Sequence, residues 1–89
     1  MLDPGATEVL FDYLHQPDPL SQLSAREREV FFELVRGRSN PEIAAMLSVS
    51  EATVRTHIAN VLDKLMLRDR TQVTIYALKR GLIRVEDLP

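Results

Sequence analysis

An all-α fold with four core helices is the fold class that the sequence predicts, and two features predict it. Helix-capping residues stand ahead of each apolar segment, and the apolar residues within these segments recur at three- and four-residue spacing. The rest of the chain does not alternate between apolar and polar residues as a half-buried strand would. From a length of 89 residues, we expect one small helical domain over 23–89, preceded by a linker over 1–22.

The linker is expected to hold one short helix over 6–16. Asp3-Pro4-Gly5 is a turn signal ahead of it, and Pro17-Asp18-Pro19 ends it. The apolar residues of this segment fall at helical spacing: Val9, Leu10, Tyr13 and Leu14. The simplest interpretation is an amphipathic terminus that becomes ordered only against another surface.

The first core helix is predicted over 24–36. Ser24 and Glu27 have the spacing of a capping box, in which each side chain satisfies a backbone N–H at the helix start. Gly37 can adopt the left-handed conformation that ends the helix. The apolar face consists of Val30, Phe31, Leu34 and Val35, and the aromatic residues Phe31, Phe32 and Tyr76 are expected in the core.

A helix-turn-helix unit is predicted to follow. Asn40 directly before Pro41 is a favourable N-cap for a short helix over 41–47. The inward residues of that helix are expected to be Ile43, Ala44 and Leu47. Ser50 is a competent N-cap for the third helix, so the connection is only about three residues long. A short helix joined this tightly to a longer one is typical of the helix-turn-helix unit.

The fourth helix is predicted over 71–80. Asp69 and Gln72 have capping-box-like spacing at its start, and Gly81 ends it. Its inward residues are expected to be Val73, Tyr76 and Ala77. The remaining face is partly apolar and consists of Thr71, Thr74, Ile75 and Leu78.

The third helix is expected to present a small and polar face to the outside. A step of 100° per residue places Val54, Ile58, Val61, Leu62 and Leu65 on one apolar stripe. The opposite side carries Ala52, Thr56, Ala59, Asn60 and Asp63, and the flanks carry Thr53, Arg55, His57 and Lys64. Short side chains let a helix approach the floor of a major groove, while longer flanking groups reach base edges or phosphates. The acid Asp63 would repel phosphate and therefore favours contact through the N-terminal half of the helix.

The net charge of −2 and the pI near 5.6 argue against a nucleic-acid partner only if the charge is evenly spread. It is not: residues 1–33 carry seven acids and two bases, whereas residues 34–80 carry eight bases and four acids. The positive charge therefore lies on the segment that contains the third helix. The absence of cysteine excludes disulfides and thiolate metal sites. No apolar run or targeting segment indicates a membrane, so we expect a cytoplasmic protein without cofactor or metal.

Four separate motifs resemble the LuxR-type helix-turn-helix domain over residues 23–83. They are Leu23-Ser24-Ala25-Arg26-Glu27-Arg28-Glu29-Val30, Gly37-Arg38-Ser39-Asn40-Pro41-Glu42-Ile43-Ala44, Thr53-Val54-Arg55-Thr56-His57 and Lys64-Leu65-Met66-Leu67-Arg68-Asp69-Arg70. The resemblance implies a bacterial transcription regulator that binds double-stranded DNA as a dimer, with the third helix in the major groove.

The resemblance also assigns expected roles to residues. Arg55 lies where the family often has a lysine, whereas Ala52 and Ala59 lie where relatives have base-contacting lysines. The base-facing residues are expected to be Ala52, Arg55, Thr56, Ala59 and Asn60. The residues expected to hold or orient phosphates are Asn40, Ser50, Thr53, His57, Lys64 and Arg70. Met66 replaces the common glycine or asparagine, so a left-handed turn there would strain the backbone.

The fourth helix commonly forms the dimer contact in this family, which implies a homodimer through Thr71, Thr74, Ile75 and Leu78. Residues 1–22 further resemble the linker of NarL/FixJ-type response regulators, with Leu2-Asp3-Pro4 ahead of the short helix. This likeness implies an N-terminal receiver domain, missing here, and a sensor kinase that phosphorylates it.

Two other protein classes compete with this interpretation. A helical dimerisation or protein-interaction module without DNA binding is compatible with Ala52, Ala59 and Asp63 on the outward face. A sigma-factor region-4-like domain shares the two-helix layout, but the added fourth helix argues against it. We do not expect an enzyme, because the two histidines lie in different segments and no acid pair or glycine loop has catalytic spacing.

Overall fold

Four α-helices make up most of the part of the chain that the structure describes. The computed structural model describes residues 18–89, in which α1 spans Ala25–Val35, α2 Asn40–Leu47, α3 Glu51–Lys64 and α4 Arg70–Lys79. A short 3₁₀ helix, Val85–Asp87, follows them. No β-strand occurs within residues 18–89, and the predicted all-α class is confirmed. The predicted linker helix over 6–16 lies outside the described residues.

One apolar core joins the helices. Phe31 is fully buried, and its ring makes edge-to-face contacts with Phe32 at 5.2 Å and with Tyr76 at 6.3 Å between ring centroids. Both partner rings are only partly buried and pack against the outside of the core. The predicted inward residues of the four helices lie in this core or pack against it, as predicted.

The segment ahead of α1 packs into the core through a buried leucine. Leu20, which the sequence places in the linker, is 2% exposed and belongs to the core together with Leu23. Its carbonyl oxygen accepts a hydrogen bond of 3.0 Å from Nη2 of Arg28, whose guanidinium also lies 3.4 Å from Oδ2 of Asp18. The folded core therefore extends ahead of α1 into the predicted linker.

Side-chain caps start all four α-helices. The predicted capping box of α1 is present: Ser24 Oγ accepts from the backbone N–H of Glu27, and Glu27 Oε1 accepts from that of Ser24. Ser50 caps α3 and Asp69 caps α4, also as predicted. The N-cap predicted for α2, Asn40, is wrong.

Ser39 caps α2 instead, one residue earlier. Its hydroxyl accepts from the N–H of Glu42, and the Glu42 carboxylate accepts from the N–H of Ser39 at 3.0 Å. This hydrogen bond lowers the pKa of Glu42. Two reciprocal bonds satisfy more of the helix start than an asparagine cap alone, so α2 begins at Asn40 with Pro41 in its first turn.

Left-handed residues end the helices. Gly37 and Gly81 have φ angles of 80° and 69°, as predicted for residues that end α1 and α4. Met66, after α3, has a φ of 58°, so the strain expected of a methionine at this position is present. Ser48, after α2, has a φ of 57°, which the sequence did not predict.

Candidate nucleic-acid interface

The turn between α2 and α3 is short and fixed at both ends. Ser48 turns the chain in the left-handed conformation, and the N–H of Val49 then donates to the carbonyl of Ala44 at 3.0 Å. The Val49 side chain is half-buried against the core. Ser50 begins α3 by accepting from the N–H of Thr53 at 3.1 Å. These contacts form the predicted helix-turn-helix unit.

Helix α3 has one buried side and one exposed side. The predicted apolar stripe is confirmed, with Val54, Ile58, Val61 and Leu65 buried and Leu62 half-buried. The residues of the predicted outward face are all exposed: Ala52, Thr56, Ala59, Asn60 and Asp63. α3 therefore packs on α1, α2 and α4 through one side and leaves an accessible surface along the other.

Arg55 and Thr56 differ in whether their polar groups already have a close partner within the protein. The Arg55 side chain is 61% exposed, and its nearest carboxylate, that of Glu51, lies 4.0 Å away. Such an exposed pair contributes little stability, so the guanidinium can exchange this partner for another. The Thr56 hydroxyl donates to the backbone carbonyl of Ala52, one turn earlier, at 3.1 Å.

The residues at the start of α3 form a polar edge beside this face. The hydroxyls of Ser50 and Thr53 lie 3.0 Å apart, and both residues stand where the N-terminal N–H groups of the helix carry partial positive charge. His57 is half-buried one turn further along, with its Nδ1 atom enclosed and without a hydrogen-bond partner. The three residues thus lie together along the N-terminal half of α3.

Lys64 is held by an acid of α1. Its ammonium nitrogen lies 2.6 Å from Oε1 of Glu27, a residue only 5% exposed. This hydrogen bond, with the one from the Ser24 N–H, holds the pKa of Glu27 below its ordinary value, and burial opposes that effect. The charge of Lys64 is therefore already compensated inside the protein, and its predicted phosphate contact stays a prediction.

Arg70 and Asn40, both predicted to address phosphates, contact each other. Nη1 of Arg70 donates to Oδ1 of Asn40 at 2.7 Å, and Nη2 donates to the carbonyl of Arg38 at 2.9 Å. One guanidinium thereby joins the first residue of α4 to the first residue of α2 and to the preceding loop. Their contacts with phosphate likewise stay a prediction.

Two buried acids pair with basic side chains, and neither was predicted in this role. Glu33 is 7% exposed, and its carboxylate lies 2.6 Å from Nη1 of Arg36 and 3.5 Å from Nε of Arg38. Glu27 was predicted only as a cap. A carboxylate on the apolar side of an otherwise amphipathic helix was the available signal, because a buried acid requires a cationic partner.

The outer face of α4 has the exposure expected of a partly apolar surface. Thr71 is exposed, Ile75 is 48% exposed, and Thr74 and Leu78 are half-buried. A groove of about 370 Å³ lies beside Ile75 and is also lined by Leu67, Gln72, Tyr76 and Lys79. Dimerisation through this face stays a prediction.

Comparison with known proteins identifies the family. Residues 21–77 match the GerE family, described as bacterial regulatory proteins of the luxR family. The chain belongs to the LuxR family. Its four helices are therefore the helix-turn-helix domain of this family of bacterial regulatory proteins. Proteins of this class are not usually enzymes.

Several curated proteins share the LuxR-family sequence. The transcriptional regulatory protein YhcZ of Bacillus subtilis is 46% identical over 78 residues, covering 83% of this chain and 36% of YhcZ. The nitrate/nitrite response regulator protein NarP of Escherichia coli is 46% identical over 65 residues, with coverages of 73% and 30%. The response regulator protein VraR of Staphylococcus aureus is 44% identical over 62 residues, with coverages of 70% and 30%. The chain thus spans about a third of the length of these relatives.

A solved structure has the same LuxR-family fold. The structure of the transcription factor GerE superposes with a TM-score of 0.61 at 40% identity, covering 78% of this chain and 96% of that chain. The fold resemblance drawn from the sequence motifs is therefore confirmed. No helix within residues 18–89 is both long and apolar enough to cross a membrane. In the same residues, no three histidine or acidic side chains converge on a metal site.

Proposed function

We propose that this domain binds a specific sequence of double-stranded DNA, with α3 as the recognition helix in the major groove. The observation that carries the proposal is the division of α3 into a buried apolar stripe and an exposed face of small and polar residues. A helix with this division can approach base edges without losing core contacts. Arg55, Thr56, Ala52, Ala59 and Asn60 would face the bases.

The phosphate backbone would be contacted mainly beside the N-terminal half of α3. Ser50, Thr53 and His57 lie along that edge, where the helix dipole favours an anion. Lys64 and Arg70 hold protein partners, so each would contact phosphate only through donors that those partners leave available. A salt titration of DNA affinity for Lys64→Met decides its role: loss of a phosphate contact lowers the slope by about one unit, whereas an unchanged slope removes Lys64 from the interface.

We further propose that the domain acts as a homodimer through α4, in contact with half-sites about one duplex turn apart. The exposed Ile75 and the adjoining groove support this arrangement. Ile75→Glu would place like charges at a two-fold contact and should raise the dimer dissociation constant at least tenfold. Sedimentation of the domain on a two-half-site duplex measures this, and a half-site duplex is the control. Unchanged cooperativity on the two-site duplex would contradict the α4 interface.

In the full-length protein, we propose that residues 1–22 link this domain to an N-terminal receiver that a sensor kinase phosphorylates. The names of NarP and VraR, which are response regulators, support the proposal. Phosphorylation would free the domain or promote its dimerisation. Because such a regulator acts on the bacterial chromosome, we place the protein in the cytoplasm.

Selection of bound duplexes from a random library tests the proposed function directly. We expect enrichment of one inverted or direct repeat, with affinity that falls as salt concentration rises. A variant with Ala52 and Ala59 both replaced by glutamate is the control, because it keeps the core and adds charge repulsion on the proposed face. Equal enrichment with this variant, or no enrichment with the wild type, would contradict DNA recognition by α3.

A further inference from the structure

The hydroxyl of Thr56 already makes a hydrogen bond within α3. Its hydroxyl donates to the Ala52 carbonyl at 3.1 Å, although the residue itself is exposed. A threonine hydroxyl has one hydrogen to donate, so this bond leaves oxygen lone pairs and a methyl group for any external partner. Donation to a base acceptor would require the intrahelical bond to break first.

The exposed residues one turn before and after Thr56 are both alanines. Ala52 lies one turn before it and Ala59 one turn after it, and both present only a methyl group to the outside. Arg55 is the neighbouring residue with a long polar side chain, and it is held only by the 4.0 Å contact with Glu51. Within the major groove, the one apolar group on a base edge is the C5-methyl of thymine.

Resting on the proposed function, we propose that Thr56 is a specificity-determining residue that selects thymine through methyl-to-methyl contact. The hydroxyl keeps the side chain in one rotamer and does not read a base. Each half-site would then contain a thymine opposite Thr56, and its contribution would be independent of the hydrogen bonds made by Arg55. The ligand class is therefore a duplex with thymine at this position.

Two variants separate the methyl group from the hydroxyl. Thr56→Val keeps the methyl group at a similar volume and removes the hydroxyl, whereas Thr56→Ser keeps the hydroxyl and removes the methyl group. Helix propensities of the three residues are close, and thermal unfolding verifies that both variants fold. On the DNA side, replacing one thymine by uracil removes only the C5-methyl group.

The experiment measures dissociation constants of the 89-residue chain on its selected duplex, with uracil placed at each thymine in turn. We expect one position per half-site where uracil weakens the wild type and Thr56→Val about three- to fivefold, the ratio expected for one buried methyl group. Thr56→Ser should bind more weakly by a similar factor and should not distinguish thymine from uracil there. Uracil outside the half-sites is the control.

Three outcomes would overturn the proposal. Loss of affinity or sequence preference in Thr56→Val, with both kept in Thr56→Ser, would assign recognition to the hydroxyl. A wild-type dissociation constant that uracil leaves unchanged at every position would refute the Thr56 proposal and leave the proposed function intact. A wild type that selects no duplex at all would refute both.

Discussion

Lys64, the last residue of α3, donates to Oε1 of Glu27 in the first turn of α1 at a distance of 2.6 Å. The same carboxylate oxygen accepts from the N–H of Ser24 at 2.8 Å, so it caps α1 and anchors α3 at once. The side chain of Lys64 is 37% exposed, whereas that of Glu27 is 6% exposed. This pair therefore fixes the end of the proposed recognition helix against the rest of the domain.

Lys64→Met is expected to lower the free energy of unfolding by about 1–3 kcal/mol at pH 7, because the Glu27 carboxylate stays buried with one donor fewer. The pKa of Glu27 is lowered from 4.5 in the folded state. A carboxyl group whose pKa is lowered on folding stabilises the protein fully above that ordinary value, and this stabilisation is lost as pH falls through the folded-state pKa. The difference in free energy of unfolding between wild type and Lys64→Met should therefore shrink below about pH 4.

Urea unfolding between pH 3 and pH 7 measures both effects. Arg68→Met is the matched control, because it also removes an exposed cation and should change stability by less than about 0.5 kcal/mol. A destabilisation by Lys64→Met that stays constant from pH 7 to pH 3 would contradict the pairing with ionised Glu27.

Arg55→Ala is expected to weaken binding to the selected duplex by about 1–3 kcal/mol if the guanidinium reads a guanine. Loss of discrimination at one base pair should accompany the loss of affinity. Arg84→Ala, in a side chain that is 82% exposed near the C-terminus, serves as the control and should leave affinity unchanged. Competition binding with single-base variants of the duplex measures the effect, and an equal loss on all sequences would indicate a phosphate contact instead.

Asn40→Ala and Arg70→Ala are expected to be non-additive, because each removes the same 2.7 Å hydrogen bond. A coupling energy of about 0.5–1.5 kcal/mol in the free energy of unfolding is expected from a double-mutant cycle. Because Arg70 also holds the Arg38 carbonyl, its single variant should be the more destabilised of the two. Strict additivity would show that the two side chains act separately.

Met66→Gly is expected to stabilise the domain by about 0.5–1 kcal/mol, which raises the melting temperature by a few degrees. Met66 has a φ of 58° and is 91% exposed, so glycine removes backbone strain and loses little packing. Met46→Gly provides the contrast, because Met46 is 52% exposed within α2 and glycine there should destabilise by about 1 kcal/mol. Thermal unfolding of both variants tests whether the two changes in stability have opposite signs.

Most helix boundaries and the two sides of α3 were predictable, because capping pairs and apolar periodicity are local signals. Ser24, Ser50 and Asp69 each stand three residues before the group they cap, and Val54 to Leu65 repeat at helical spacing. The start of α2 was missed because Ser39 and Asn40 offer competing caps. The reciprocal bond from Glu42 decided between them.

The contacts that orient the candidate site were not predictable from such signals. Lys64 and Glu27 lie 37 residues apart, and Arg70 and Asn40 lie 30 residues apart. In the sequence alone, all four residues have the character of surface or capping groups. Only the packing of α1, α2, α3 and α4 around one core brings these side chains together, so their hydrogen bonds to each other could not be predicted from local signals.

The separation of the two sides of α3 bears on how such a regulator can evolve. Val54 and Val61 hold the helix in the core, whereas Ala52, Arg55 and Thr56 are exposed on the other side of it. Surface substitutions usually change the free energy of unfolding by less than about 0.5 kcal/mol, so changes on the exposed side leave folding stability largely intact. A gene duplicate could therefore acquire a new operator through single codon changes on this face, without any compensating change elsewhere in the domain.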